Sequence, residues 1–293
     1  MQRRPPDPIA DMTISARSPS ATTTRGTHAD EAPQPQTVGP LVSVIVPTWN
    51  ERENIAPLLD AICGASFDAP FEVLVVDDAS PDGTGTAVRE ASRRYPNVLL
   101  VQRAGKLGLS SAVMEGAARS SGRILVMMDG DLSHDAHVLP RLVEQIQSGC
   151  DVAVGSRYTR GGALQGWPLH RRLGSLAFTW SARALLGLRV RDPLSGYAAF
   201  RREVLAGQPT RFSARGFKLL LEVLATQRAL RVVEVPITFV DRCRGASKLD
   251  LRELRELLLL CVRLLGWRLR LLGRRAAAAV ARVSRTRHAS RAS

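Results

Sequence analysis

Aromatic residues are scarce, at 5 % of the 293-residue chain. A surface for single-stranded nucleic acid sets aromatic platforms among basic residues. No such stripe is present, which argues against that class of partner. Cysteine is rare too: Cys63, Cys150, Cys243 and Cys261 are far apart and form no Cys-x-x-Cys pair. With no His pair beside them they argue against a zinc site, and their scatter fits a reducing compartment. No run of about 18 uncharged apolar residues occurs, so no segment reads as a membrane span. The first eight residues lack the apolar stretch of a secretory signal. Acid is in deficit: 41 Lys and Arg stand against 27 Asp and Glu, a net charge of +14. Such a balance points to an anionic partner: nucleic acid, a membrane surface or a phosphorylated ligand. From Arg252 onward there are eleven Arg and two Glu, so the excess lies mainly at the C-terminal end.

What is there describes a folded chain with appendages. Residues 1–40 hold seven prolines and no aromatic, and read as a disordered leader. From Leu41 apolar runs at 41–46, 71–76, 97–102, 123–128 and 151–154 alternate with helical spacing at 54–63, 84–94, 108–120 and 136–147. That alternation predicts βαβ units and an α/β fold with a mostly parallel sheet flanked by helices. Beyond Gly155 the pattern loosens. Residues 159–168 read as a Gly-rich loop, 172–186 and 217–229 as helices, 196–201 as a strand, and 231–240 as a strand interrupted by Pro236.

Residues 251–272 form the last predicted helix. At helical spacing Arg252, Arg255, Arg263, Arg270 and Arg274 share one sector, with Leu254, Leu257, Leu258, Leu264, Leu265 and Leu272 mostly opposite. Such a helix suits an anionic membrane interface or docking on its own domain. Trp267 and Arg274-Arg275 favour the membrane, over 251–275, with 276–293 a basic disordered tail. The main domain is then 41–250.

The chemistry gathers where strands end. Strand four runs into Met127-Met-Asp-Gly-Asp-Leu-Ser-His134. Asp129 and Asp131 can share one hard divalent cation, and that cation can hold a diphosphate; two aspartates in a turn are the plain alternative. Strand one ends in Pro47-Thr-Trp-Asn-Glu51, strand two in Val76-Asp77-Asp78, and strand five in Gly155-Ser-Arg157-Tyr158. In a parallel sheet these ends lie on one edge, where open α/β sheets bind ligands. Pro47 and Trp49 suit packing against a base, Glu51 and Asp78 suit hydrogen bonds to it, and Arg157 suits phosphate.

Three segments, Val44-Ile-Val-Pro-Thr-Trp-Asn-Glu-Arg-Glu-Asn-Ile55, Val75-Val-Asp-Asp-Ala-Ser-Pro-Asp-Gly-Thr84 and Met128-Asp-Gly-Asp-Leu-Ser-His134, resemble the family 2 glycosyltransferases of GT-A fold. The resemblance is nearest to the dolichol-phosphate or polyprenol-monophosphate mannosyltransferase branch. Asp192-Pro-Leu-Ser-Gly-Tyr197 and Arg242-Cys-Arg-Gly-Ala-Ser-Lys-Leu249 support it, and it spans about residues 41 to 260. It implies inverting transfer of mannose from GDP-mannose to a polyprenyl monophosphate, with Mg²⁺ or Mn²⁺. It places Pro47, Trp49, Glu51, Val76 and Asp78 around the guanine, and Asp129, Gly130 and Asp131 at the ribose, diphosphate and metal. Ser133 is a further metal position, and Arg157, Arg242 and Lys248 meet phosphate. Arg171 is an additional candidate cation. Asp131, Arg157, Arg242 and Lys248 are the expected catalytic residues. The chain departs from the family at Trp49, where Tyr is usual, at Gly130, where Ala is usual, and at Ser133, often Gln. The resemblance further implies a peripheral protein at the cytoplasmic membrane face, attached through its own helix or a membrane-anchoring partner. A UDP-sugar transferase on the same lipid, and a non-catalytic membrane-surface scaffold, are the alternatives.

Overall fold

The computed structural model describes residues 41–206, 218–227, 229–241, 255, 258–267, 269 and 270. The leader, the basic tail, Arg242 and Lys248 lie outside the described residues.

Seven strands form one sheet in the order β3-β2-β1-β4-β7-β5-β8. β1 (Val42–Thr48), β2 (Phe71–Asp77), β3 (Val98–Gln102) and β4 (Ile124–Met127) are parallel. β5 (Val152–Ser156) and β8 (Val232–Pro236) run the same way, while β7 (Ala198–Arg201) is antiparallel between β4 and β5. The mostly parallel sheet is therefore present, with one reversed strand that apolar patterning does not distinguish.

Period-2 alternation divides the apolar strands between two faces. Ile45, Leu74, Val76, Leu125 and Met127 pack with Val113 of α3 (Leu109–Arg119). Val44, Val46, Val73, Val75 and Val126 pack with α1 (Arg52–Gly64) and α4 (Leu139–Gln147), through residues such as Ile55, Leu58, Leu142 and Ile146. α2 (Thr84–Arg94) adds Val88 to the second face. Both faces being covered, the strands carry continuous Val, Ile and Leu.

Three differences from the sequence reading lie after β5. The Gly-rich stretch contains β6 (Ala163–Gln165), which pairs in parallel with β9 (Thr238–Val240). Strands of three residues leave no periodic signal. The predicted strand 231–240 is two strands: at Ile237 the chain passes from β5 to β6, its N–H donating to the Ser156 carbonyl and its carbonyl accepting from Ala163 N–H. α5 (Leu169–Leu186) starts directly after Pro168. Between β7 and β8 lie α6 (Arg202–Leu205) and α7 (Leu219–Thr226).

In the last described stretch Leu260, Cys261 and Leu264 are buried in the same core cluster as α7, with Leu265 packed against it. Arg255, Arg263 and Arg270 are exposed. Leu258, Leu259, Val262 and Leu269 are exposed beside them. This stretch packs on its own domain through Leu260, Cys261 and Leu264, while Leu258, also on the predicted leucine face, is exposed.

Candidate active site

The acidic segment leaves β4 with Met128 N–H bonded to the Ile45 carbonyl. Asp131 is 5 % exposed, and its Oδ1 accepts from the Ser133 amide at 3.1 Å and the Ser133 hydroxyl at 2.5 Å. This tight turn holds Leu132 at φ +60°, a left-handed conformation that costs a branched residue roughly 1–2 kcal/mol. The Asp129 side chain is 26 % exposed, and its Oδ2 lies 3.3 Å from His134 Nε2. Gly196 lies directly against Asp129, so close that a Cβ there would overlap the carboxylate. Gly130 has no left-handed φ; a Cβ on it would meet Thr48 Cγ2 at 3.1 Å. A methyl there would require Thr48 to give by a few tenths of an ångström.

These donors suit a hard cation. Two carboxylates and a hydroxyl are all oxygen, and the remaining positions around Mg²⁺ or Mn²⁺ are ordinarily filled by phosphate and water. Among the described residues no group of three or more His, Cys, Asp and Glu could enclose a metal. The cation would depend on its diphosphate partner.

The turns after β1 and β2 are laced together. Asn50 N–H donates to Ser80 Oγ at 2.9 Å, Glu51 N–H to Thr84 Oγ1 at 3.0 Å, and Arg52 N–H to Asp82 Oδ2 at 3.0 Å. Asn50 and Ala79 take φ of 58° and 59°. The described non-glycine residues of positive φ thus all lie in turns that follow a strand on the ligand edge. Strain of this kind clusters at functional sites. Glu51 Oε2 accepts from Asn54 Nδ2 at 2.6 Å. Pro47 is half-buried, and Val76 is fully buried in the core. Asp78 is buried: its Oδ1 accepts from Arg103 Nη1 at 2.6 Å, and Oδ2 from the amides of Leu107 and Gly108 at 3.0 and 3.1 Å. The carboxylate holds residues 103–108 against β2. That loop brings Lys106 Nζ to 4.6 Å from the Trp49 ring centroid, a cation–π contact in which Trp is a stronger partner than Tyr.

Arg157 sits at the end of β5 in a fork with Asp192: Nε to Oδ2 at 2.7 Å and Nη2 to Oδ1 at 2.8 Å. Burial opposes its charge, but the hydrogen bonds and charge of Asp192 raise its pKa above the ordinary arginine value. The guanidinium also lies 5.5 Å from the Phe239 ring centroid, and Phe239 faces the His134 ring edge-on at 5.2 Å. A chain of contacts therefore connects Asp129, His134, Phe239, Arg157 and Asp192. Arg171 Nη1 meets both oxygens of Asp241, at 2.8 and 2.9 Å, and its guanidinium stacks 4.0 Å from the Trp167 centroid.

The fold and the acidic turn now bear comparison with known proteins. The model of "Glycosyl transferase family 2" matches residues 43–207, more than half of the chain. The chain belongs to glycosyl transferase family 2. Its relatives include the dolichol-phosphate mannosyltransferase of Pyrococcus furiosus, 44 % identical over 228 residues, covering 77 % of this chain and 64 % of that one. The chain thus spans under two thirds of that relative's length. The polyprenol monophosphomannose synthase of Mycolicibacterium smegmatis is 37 % identical over 231 residues, covering 76 % of this chain and 86 % of that one. Among solved structures, the mannosyltransferase PcManGT of Pyrobaculum calidifontis, in complex with GDP-Man and Mn²⁺, superposes with a TM-score of 0.57. It is 24 % identical, covering 78 % of this chain and 65 % of that one, a likeness that concerns the fold. This family's GT-A architecture is the one described above.

The family motifs thus lie on one sheet edge, after β1, β2, β4 and β5, and a contact chain joins two of them. Asp192, Gly196, Arg103 and Phe239 escaped the sequence reading. Asp192 and Gly196 stand in the quoted Asp192–Tyr197 segment, but nothing in it says that they seat Arg157 and Asp129.

Proposed function

We propose that the chain is an inverting mannosyltransferase that moves mannose from GDP-mannose to a polyprenyl monophosphate of the dolichyl type, releasing GDP. The observation that carries this is the oxygen-only Asp129–Asp131–Ser133 turn on the ligand edge, in a family member whose relatives bear mannosyltransferase names.

Placement at the strand ends supports these roles, and Arg242 and Lys248, outside the described residues, take theirs from the family resemblance. Pro47, Trp49, Glu51 and the backbone of Val76 border the guanine. Asp78 acts through the 103–108 loop that it holds. Asp129, Gly130 and Asp131 face ribose and diphosphate, with Asp129, Asp131 and Ser133 as protein positions for Mg²⁺ or Mn²⁺. A bound cation would offset the charge of the leaving diphosphate. An acceptor phosphate oxygen forms the new bond to the anomeric carbon as the bond from that carbon to the β-phosphate oxygen breaks. A phosphate monoester is already ionised near neutral pH, so no general base is assigned. The obstacle is two anions meeting, and Arg157, Arg171, Arg242 and Lys248 supply the opposing charge. Fixed charge of this kind is often the largest catalytic term.

The lipid acceptor places the enzyme at a membrane. Among the described residues no helix is long and apolar enough to cross one. Contact at the cytoplasmic face, through 251–275 or a membrane-anchoring partner, completes the proposal.

The test is transfer of labelled mannose from GDP-mannose to polyprenyl phosphate in detergent with Mn²⁺. Asp131→Ala should reduce turnover at least a hundredfold while the circular dichroism spectrum is kept. Near-normal turnover would remove the metal role. Protection against heat by GDP, not UDP, separates this reading from a UDP-sugar enzyme.

A further inference from the structure

α5 carries an outward apolar stripe. Leu169, Leu173, Leu176 and Trp180 follow at spacings of four, three and four, on one helical face, and are 71, 56, 44 and 69 % exposed. Scattered exposed leucines need no explanation, but a contiguous row with Trp does. At its inner border Leu176 and Trp180 meet Tyr158, Thr179, Arg183 and Arg191 around an open cleft of about 380 Å³.

The polar atoms of this cleft have unmet bonding capacity. Thr179 is 3 % exposed, and its hydroxyl is buried with no hydrogen-bond partner among the described residues. Arg183 Nε is likewise buried and unpartnered there. Asp192, the nearest acid in sequence to Arg191, is engaged by Arg157. The Glu234 carboxylate accepts from the backbone amides of Arg191 and Asp192. Two guanidiniums and a hydroxyl beside an apolar row match a phosphate attached to hydrocarbon. Arginine's planar fork suits that group, and Trp favours the boundary between headgroup and chain.

We propose that this cleft binds the headgroup phosphate of an anionic bilayer lipid, with the α5 stripe lying in the membrane interface. Arg183 and Arg191 hold the phosphate, the Thr179 hydroxyl donates to it, and Leu176 and Trp180 meet the chains. The site lies away from Arg171, one of the proposed acceptor cations, while the Tyr158 ring of its lining is 5.3 Å from the guanidinium of Arg157, another, so the transfer assay tells the two sites apart. Arg183 lies twelve residues beyond Arg171 in α5, about 18 Å at the helical rise, so one phosphate cannot meet both. The proposal deepens the membrane part of the function proposed above, yet vesicle binding is read without GDP-mannose. Failure of the transferase reading would leave this result standing.

The full-length chain is sedimented with mixed phosphatidylcholine–phosphatidylglycerol vesicles and with pure phosphatidylcholine. The double variant R183Q/R191Q is compared with R123Q/R141Q, two exposed arginines away from α5. Loss of both cleft charges should weaken binding to the anionic vesicles about thirtyfold, at the usual value per basic residue near such a surface. The control pair should change it less than threefold. The Trp180→Ser variant should lose binding to both vesicle types. Mannosyl transfer in detergent by R183Q/R191Q should stay within twofold of wild type. Equal losses in the two arginine pairs would reduce the effect to bulk charge and overturn the proposal. So would normal vesicle binding with depressed transfer, which would give the cleft to the acceptor.

Discussion

Gly196 decides where a proposed metal ligand stands. No side chain fits between it and Asp129. Gly196→Ala should push the carboxylate aside, weakening Mn²⁺-dependent binding of GDP about tenfold in calorimetry. The melting temperature should change little. Unchanged affinity would show that Asp129 has room to spare. At the opposite edge of the sheet, Glu72 is 8 % exposed. Its Oε1 accepts from Ser43 Oγ at 2.6 Å, from the Ser121 amide and hydroxyl at 2.6 and 2.9 Å, and from the Gly122 amide at 3.3 Å. Burial pushes its pKa up, but these donors outweigh burial and hold it below the usual carboxyl range. A lowered folded pKa means stability that is full above the unfolded value and lost as pH falls through the folded one. Glu72→Gln should cost about 1–3 kcal/mol near neutral pH, and the gap from wild type should narrow in acid. Urea melts at several pH values measure both; a constant gap would separate Glu72 from the acid response.

At the scale of elements, the strands and helices up to β5 were legible because each is long, periodic and bounded by turn residues. β6, β9 and the reversal of β7 were not, since short strands lack a period and direction leaves no mark on composition. The final helix shows why an amphipathic pattern needs a structure. Arg255, Arg263 and Arg270 are on the surface, but Leu260 and Leu264, both buried, belong to the domain core. Deleting residues 251–293 should therefore destabilise the domain. Two buried leucines at about 1.5–3 kcal/mol each imply roughly 3–6 kcal/mol, a large share of the ~5–15 kcal/mol that holds a typical domain. The urea midpoint of the truncated chain reports it, and an unshifted midpoint would mean the helix is dispensable. Truncation is accordingly a poor probe of membrane contact, and substitutions on the α5 surface are a better one.

Across the whole molecule the site was legible as a set of strand ends, and less so as a set of contacts. Asp129, Asp131 and Trp49 could be located because the parallel sheet brings their turns to one edge. That Asp78 grips residues 103–108, and that Asp192 grips Arg157, could not. Those partners lie 25 to 35 residues away in sequence and meet through loop paths that no local pattern encodes. The same separation has a consequence in time. β4 carries the acidic turn, and of its two neighbours, β1 and β7, the second is paired through residues 71 to 77 positions later. During synthesis, strands β1 to β4 can pair while Asp129 still lacks the backbone of Gly196 against it. The acidic turn meets Gly196 when β7 slots between β4 and β5, and β9 later still, where Val240 N–H donates to the Ser133 carbonyl, so a ribosome stalled before Ala198 would hold a chain with every acid of the motif and no finished site.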